Sequence, residues 1–178
     1  MGFFASVEGS AAIRAQARDF IAAFVRRIET GLLTHAPRWR CQYRVTRQGD
    51  DRLRFRAADW WTAINVGLND VELAVAPGGR VHYEIRYWRW ASYALVLSGT
   101  IGVVLIAAFL VFDLRDHLLR HPESTIPGLS TDQNVAIGWA MALFWGFAWP
   151  WILIALHKRP LRRLMDQIVA EVDVAALQ

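Results

Sequence analysis

The stretch WASYALVLSGTIGVVLIAAFLVF, residues 90–112, contains no charged side chain. A helix of this length extends for about 35 Å at about 1.5 Å per residue, which is enough to cross a hydrocarbon layer about 30 Å thick. Residues 135–156, VAIGWAMALFWGFAWPWILIAL, form a second uncharged run. The two runs predict a transmembrane hairpin, with a first transmembrane helix at 90–112, an extracytoplasmic loop at 113–134 and a second transmembrane helix at 135–156.

Basic side chains lie mainly before the first span and after the second. They are Arg80, Arg86, Arg89, Lys158, Arg159, Arg162 and Arg163. The connecting loop contains only Arg115 and Arg120. Because basic segments next to a span stay on the cytoplasmic side, we expect a two-pass protein of a bacterial inner membrane with both termini in the cytoplasm. The single cysteine, Cys41, excludes an intrachain disulfide and suits a reducing compartment.

An amphipathic helix is predicted at residues 10–34, where apolar side chains recur at steps of three and four. These side chains are Ile13, Ala17, Phe20, Ile21, Phe24, Ile28 and Leu32. Ser10 is a candidate N-cap, and Pro37 lies just beyond the expected end. We expect the apolar stripe to pack on a sheet. The alternative is a helix that lies on the membrane surface.

Residues 38–88 alternate between apolar and polar side chains, the period of strands that are buried on one face. The pattern predicts five short antiparallel strands, at about 38–45, 52–57, 60–67, 70–76 and 80–88. The segments 49–51 and 77–79 supply tight turns. Residues 1–89 are therefore predicted to form a cytoplasmic α+β domain, in which the amphipathic helix covers one face of a five-stranded sheet.

The tail at 157–178 has a second apolar stripe, made by Leu161, Leu164, Met165, Ile168, Val172 and Ala175. It predicts a cytoplasmic amphipathic helix that packs on the domain or on a neighbouring subunit. The predicted fold class is thus an α+β membrane protein, with helix and sheet first, a transmembrane hairpin next and an amphipathic helix last.

One face of the first predicted hairpin is rich in arginine: Arg38, Arg40, Arg44, Arg52, Arg54 and Arg56. If Gln48 pairs with Arg52, then Arg44 lies opposite Arg56, and like charges in that position destabilise a sheet. Either Glu72 and Glu84 on neighbouring strands neutralise the arginines, or the face is simply solvated, or it binds an anionic partner.

Membrane lipid head groups are the favoured partner of this arginine face, since each basic residue near an anionic leaflet contributes about 1 kcal/mol. A small anionic ligand is a second possibility, and nucleic acid is less favoured. The sequence contains no glycine-rich phosphate loop.

Small residues recur four apart in both predicted spans: Ala94, Ser98 and Gly102 in the first, and Gly138, Ala142 and Gly146 in the second. Small side chains at this spacing allow helix backbones to approach closely. Gly102 and Gly146 both reach the middle of the bilayer and could face each other within one hairpin. The others lie in opposite leaflets, which predicts contacts between chains in a homo-oligomer or larger membrane complex, unless they reflect only the usual composition of spans.

Four tryptophans are expected at the cytoplasmic interface of the membrane: Trp88, Trp90, Trp149 and Trp151. Their amphipathic rings are typical anchors at that depth. Two further signals concern the second span. Ser130 and Gln133 have the spacing of a capping box at its start, and Pro150, which has no N–H for the carbonyl of Gly146, predicts a kink.

The sequence shows no catalytic pattern. No nucleophile elbow and no paired carboxylates stand out. His117 and His121 are one helical turn apart, but no cysteine and no third histidine lie near them, so we predict no metal and no cofactor. We expect a non-enzymatic membrane protein whose cytoplasmic module serves binding or assembly, as a scaffold or accessory subunit. The alternative is a ligand-sensing effector that oligomerises through its two spans to perturb or open the bilayer.

Overall fold

The computed structural model describes residues 5–33 and 42–178. Arg38, Arg40 and Cys41, singled out from the sequence, lie outside the described residues. The chain divides into two compact units, one made of Met1–Ser92 with Leu156–Gln178 and the other of Tyr93–Ala155. We call them the sheet unit and the hairpin unit. The sheet unit therefore extends beyond the predicted domain at 1–89, because it includes the C-terminal segment.

The sheet unit contains five antiparallel strands, which confirms the predicted mixed α+β class. The strands are β1 (Ser6–Ala12), β2 (Tyr43–Gln48), β3 (Arg52–Ala57), β4 (Asp70–Ala76) and β5 (Arg80–Arg86). Their order across the sheet is β1-β5-β4-β3-β2. Four of the strands follow one another as an antiparallel meander, and β1 adds to the free edge of β5.

The strand predicted at 60–67 is wrong, because this segment forms helix α2 (Trp60–Val66). Asp59 caps the helix, and its Oδ1 accepts a 2.7 Å hydrogen bond from the Thr62 N–H. Gly67 ends the helix in the left-handed region, with a φ of 84°. These two caps provide hydrogen-bond partners for the free backbone groups at the two ends of the helix. Their contribution outweighs the strand preference of the aromatic and β-branched residues between them.

The fifth strand is β1, which the sequence analysis had assigned in part to the first helix. Helix α1 spans Ala17–Thr30, so the predicted cap Ser10 lies in β1, where it pairs with His82. Small residues in β1 give it little intrinsic strand preference. Gly9 shows why they fit, since a Cβ there would overlap the ring of its cross-strand neighbour Tyr83. Tertiary packing, rather than local preference, makes this segment a strand.

Helix α1 and the C-terminal helix cover the apolar face of the sheet. In α1 the predicted stripe is buried, and the rings of Phe24 and Phe55 lie 5.8 Å apart. Helix α6 (Trp149–Ala176) contributes buried side chains from its last part: Leu161, Met165, Ile168, Val169 and Val172. The C-terminal helix thus packs on its own domain, which was the first of the two predicted alternatives.

Hydrogen bonds hold the C-terminal helix in place. The Tyr83 hydroxyl donates to Asp166 Oδ1 over 2.5 Å. Asp173 is buried, and its Oδ1 accepts the backbone N–H groups of Arg14 and Ala15, both at 2.9 Å. Burial and the Asp166 contact raise the pKa of Tyr83, so the hydroxyl stays a donor at physiological pH. The first and last segments of the chain are therefore joined through buried polar groups as well as apolar ones.

Two helices are long and apolar enough to cross a membrane, as predicted. The first is α3 (Trp88–Val111), and the second is a continuous helical run at Thr131–Ala176, with mean hydropathy of 2.6 and 1.6 in their most apolar windows. Only 11% and 22% of these windows are buried in the protein. They therefore differ from the core helices of soluble domains, which bury their apolar side chains.

The second apolar run consists of α5 (Thr131–Leu143), a π-helical segment (Phe144–Ala148) and α6. In the π-helical segment the Trp149 N–H bonds to the carbonyl of Phe144, five residues back. The register change immediately precedes Pro150, the residue that the sequence analysis associated with a kink. A proline lacks the N–H that the regular ladder needs, and a π-turn is one way to accommodate the loss.

The segment between the apolar helices is short and ordered. It contains α4 (Leu114–Arg120) and one 3₁₀ turn (Pro122–Ser124). Ser130 and Gln133 form the predicted capping box, with Gln133 N to Ser130 Oγ at 3.2 Å and Ser130 N to Gln133 Oε1 at 2.8 Å. The segment is therefore fixed to the start of α5 by local hydrogen bonds.

Candidate functional site: the charged face of the sheet

The second face of the sheet carries charged side chains on all five strands. We call it the polar face. Its members, which alternate with the buried residues, are Glu8, Arg44, Arg47, Arg52, Arg54, Arg56, Asp70, Glu72, Arg80, His82, Glu84 and Arg86. Since α1 and the C-terminal helix pack on the opposite face, neither covers the polar face.

Strands β2 and β3 form the basic half of the polar face. Arg44 lies opposite Arg56, as the sequence analysis inferred, but Gln48 pairs with Leu53 and not with Arg52. A β-bulge between Val45 and Arg47 causes this shift. Because of the bulge, Arg47 lies opposite Arg54, whereas uninterrupted alternation from Arg44 would place it on the other face.

The arginines of the basic half are exposed. Arg44, Arg47, Arg54 and Arg56 are all open to solvent. Among residues 5–33 and 42–178, no carboxylate lies within 4.0 Å of their guanidinium groups, and Arg52 has only a 3.9 Å contact with the adjacent Asp51. The two arginine pairs, Arg44 with Arg56 and Arg47 with Arg54, therefore lie on neighbouring rows of the sheet, where an anionic partner can reach them.

The neighbouring strands form the acidic half. Glu72, Glu84 and Glu8 lie next to one another across β4, β5 and β1, in the same row as Arg47 and Arg54. The row reads as two positive and then three negative side chains. Within the acidic half, Arg86 Nε contacts Glu84 Oε1 at 2.7 Å, and this hydrogen bond lowers the pKa of Glu84. The close ion pair of Glu84 is therefore with Arg86, and the charge of Arg54 on β3 also lowers the pKa of Glu84.

The small residues singled out in the apolar helices pack within the hairpin unit. A Cβ on Gly146 would lie 2.5 Å from the Cα of Gly102, so the two backbones touch. A Cβ on Gly138 would lie 2.8 Å from Leu114 Cδ2. Ala142 and Ala94 are also buried, with 1% and 8% exposure.

These positions thus make contacts within one chain, and the carbonyl of Ser98 lies beside the same glycine crossing. The close approach of Gly102 and Gly146 is the one expected within a single hairpin. The contacts between chains expected for the small residues in opposite leaflets stay a prediction.

The four predicted anchors differ in their surroundings. Trp88 Nε1 donates to Asp70 Oδ2 over 3.1 Å, and Trp90 stacks on His157 with ring centroids 4.0 Å apart. In the hairpin unit, Trp149 contacts aromatic neighbours and Trp151 is 54% exposed. Trp90 is therefore part of the packing of the sheet unit, where burial lowers the pKa of His157.

A tryptophan cluster beside the start of α3 was missed from the sequence. It consists of the contacting side chains Trp60, Trp88 and Arg89, together with Trp61, which follows Trp60 on α2. Trp60 and Trp61 are 53% and 73% exposed on α2. The sequence signal for this exposure is the pair of helix caps, Asp59 and Gly67. They predict a short helix, and a helix places the neighbouring residues Trp60 and Trp61 on the same turn.

The two histidines of the loop line a cavity of about 420 Å³ in the hairpin unit. The ring centroids of His117 and His121 are 4.7 Å apart, and His121 Nδ1 contacts Glu123 Oε1 at 3.1 Å. No group of three or more His, Cys, Asp or Glu side chains in the described parts of the chain could hold a metal ion. Its lining combines apolar and polar side chains, namely Ala108, Phe109, Phe112, Leu114, Asp116, His117, Arg120 and His121.

Comparison with protein-family models, with curated proteins and with solved structures finds no match.

Proposed function

We propose that this chain is an integral protein of the cell inner membrane, with two spans and with both termini in the cytoplasm. The support is the exposed apolar surface of α3 and of the helical run at Thr131–Ala176. In the most apolar 18 residues of each, only 11% and 22% are buried inside the protein. Apolar surface left in water costs about 25 cal/mol per Å², and patches of this extent mark an interface or a membrane. The basic residues that flank the spans support the orientation.

Within this arrangement, the sheet unit acts as a non-enzymatic binding module that holds an anionic partner on the basic half of its polar face. The observation that carries this proposal is the register of two exposed cross-strand arginine pairs, Arg44 opposite Arg56 and Arg47 opposite Arg54. The Cβ atoms of directly opposed residues lie about 5 Å apart, and two like charges at that separation would repel by about 0.8 kcal/mol even in water. A bound anion between the guanidinium groups would relieve this repulsion, and arginine pairs well with carboxylate or phosphate.

The acidic half favours a protein partner over a lipid surface. If the whole polar face lay flat on an anionic leaflet, the row of Glu8, Glu72 and Glu84 would face the same negative charge. An acidic protein segment along β2 and β3 avoids this repulsion. The function supported best is therefore that of a scaffold or accessory subunit, which ties an acidic segment of another protein to the membrane.

The test uses the full chain in nanodiscs of neutral lipid, with a fluorescent polyglutamate peptide as the probe. We expect salt-sensitive binding that is lost in Arg44→Gln/Arg56→Gln and retained in Arg18→Gln/Arg26→Gln, whose arginines are exposed on α1. The two variants lose the same charge. Equal binding by both variants, or no binding by the natural chain, would contradict the proposal. Tighter binding of anionic vesicles than of the peptide would identify lipid as the partner.

The alternative, an effector that senses a ligand and opens the bilayer, stays a prediction. It expects association between chains through Gly102, Gly138 and Gly146, and each of these residues also contacts side chains or backbone of its own hairpin unit.

A further inference from the structure

In the N-terminal part of the sheet unit, the large exposed hydrophobic side chains are concentrated in one place, whereas the C-terminal segment has scattered ones at Leu156, Val174 and Leu177. Within residues 5–33 and 42–92, the large hydrophobic side chains that remain exposed are Trp60, Trp61 and Trp88. All three belong to the tryptophan cluster. Indole rings have a large apolar area and a polar N–H. A group of exposed indoles therefore indicates a binding surface at a boundary between an apolar layer and water.

Helix α2 holds these indoles outward through a well-anchored base. Thr62 and Ala63, which follow the tryptophans, are fully buried. Thr62 Oγ1 accepts a 3.0 Å hydrogen bond from the Gln42 N–H, and Asp59 caps the helix. The exposure of Trp60 and Trp61 is therefore a fixed feature of the fold.

Asn69 ties α2 to the first turn of α3. Its Nδ2 donates to the Ala63 carbonyl over 2.8 Å, and its Oδ1 accepts the backbone N–H of Arg89 at 2.7 Å and of Trp90 at 3.3 Å. The side chain is fully buried. One residue thus bridges the exposed tryptophan helix and the start of a helix that is apolar enough to cross a membrane.

Direct side-chain contacts place Trp60 level with this first turn. The rings of Trp60 and Trp88 meet edge to face, with centroids 6.3 Å apart. The Arg89 guanidinium lies 5.3 Å from the Trp88 ring and 5.8 Å from the Trp60 ring. The cluster therefore combines aromatic rings with a cation, the two kinds of side chain that favour the head-group layer of a bilayer.

We propose that the tryptophan cluster inserts into the head-group layer of the bilayer that α3 enters, with Trp60 and Trp61 in the lipid and Arg89 toward lipid phosphate. This inference rests on the proposed insertion of α3. It adds a membrane contact made by the sheet unit itself to the contacts made by the two spans. This contact would hold the sheet unit at the membrane surface in addition to its covalent links to the spans.

The test measures the depth of a fluorescent label in the full chain, reconstituted in vesicles of neutral lipid. In a Cys41→Ser background, the environment-sensitive dye NBD is attached at Asn65→Cys, which is exposed on α2 and leaves both tryptophans in place. The control label is at Val174→Cys, a 49% exposed position of the same unit. We expect lipid-attached nitroxide to quench the Asn65 label at least twofold more than the Val174 label. Trp60→Ser/Trp61→Ser should abolish the difference.

A third label at Val103→Cys, a 58% exposed position of α3, separates the two proposals. If lipid nitroxide quenches this label but not the Asn65 label, the inference fails while the membrane insertion stands. If neither label is quenched by lipid, the insertion itself is contradicted. An Asn65 label shielded from both lipid nitroxide and aqueous iodide would point to a protein covering α2 and would overturn the inference.

Discussion

The contact between Gly102 and Gly146 leads to the most specific stability prediction. A Cβ on Gly146 would lie 2.5 Å from Gly102 Cα and 3.3 Å from Gly102 N, both backbone atoms that cannot rotate away. Carbon atoms in contact normally lie about 3.5–4.0 Å apart. Gly146→Ala therefore requires the two helices of the hairpin unit to separate by about 1 Å at their crossing.

The cost of that separation can be estimated. Overpacking of a tight contact typically costs about 1–3 kcal/mol, and alanine returns up to about 1 kcal/mol through its higher helix propensity. The net expectation is a destabilisation of about 1–2 kcal/mol, or roughly a fivefold to thirtyfold shift in the unfolding equilibrium. The assay is equilibrium unfolding of the full chain in mild detergent, followed by tryptophan fluorescence.

Gly99→Ala is the matched control on α3. No atom lies within 4 Å of a Cβ at Gly99, so the same chemical change meets open space. We expect the control to be neutral or slightly stabilising. Equal effects of Gly99→Ala and Gly146→Ala would refute the close backbone crossing.

Three further predictions concern the sheet unit. Gly9→Ala should displace the Tyr83 ring and weaken its hydrogen bond to the C-terminal helix, which lowers stability by about 1–3 kcal/mol in thermal unfolding. Asp173→Ala should cost about 1–3 kcal/mol, because it leaves the buried N–H of Ala15 without its acceptor. Burial lowers the pKa of His157 in the folded state, so the unfolded chain binds more protons at acid pH. Stability should therefore fall as the pH drops through the ordinary histidine pKa of 6.5, and His157→Gln should remove that part of the pH dependence in melts from pH 7.5 to 5.

Each of these changes has a control in the same unit. Ser10→Ala, an exposed position in β1, should leave stability nearly unchanged. Glu171→Ala removes a partly exposed ion pair with Arg27, which is worth about 0–1 kcal/mol. His82→Gln, on the polar face, should keep the acid-dependent loss of stability. If a control matches its partner variant, the buried contact is not the cause of the effect.

Periodicity and composition predicted the parts of this fold that depend on local signals. The uncharged runs identified both apolar helices, and strict alternation identified β3, β4 and β5. The capping box of Ser130 and Gln133 could also be predicted, because its two hydrogen bonds join residues three positions apart. In each case the sequence signal lies within the segment itself.

The errors have the opposite origin. The segment 60–67 has the composition of a strand, but its caps at Asp59 and Gly67 favour a helix. Strand β1 depends on packing against β5, far along the chain. The bulge that brings Arg47 beside Arg54 has no local sequence signature, so the full extent of the basic half could not be predicted.

The two-span topology underlies both proposals, and single-cysteine labelling tests it most directly. In a Cys41→Ser background, Ser124→Cys lies in the segment between the apolar helices and Leu177→Cys lies near the C-terminus, both at exposed positions. The reagent is a maleimide that does not cross membranes. We predict that it labels Ser124→Cys in intact spheroplasts and labels Leu177→Cys only after permeabilisation. Reaction of both cysteines in intact spheroplasts, or of Leu177→Cys alone, would contradict a hairpin with cytoplasmic termini.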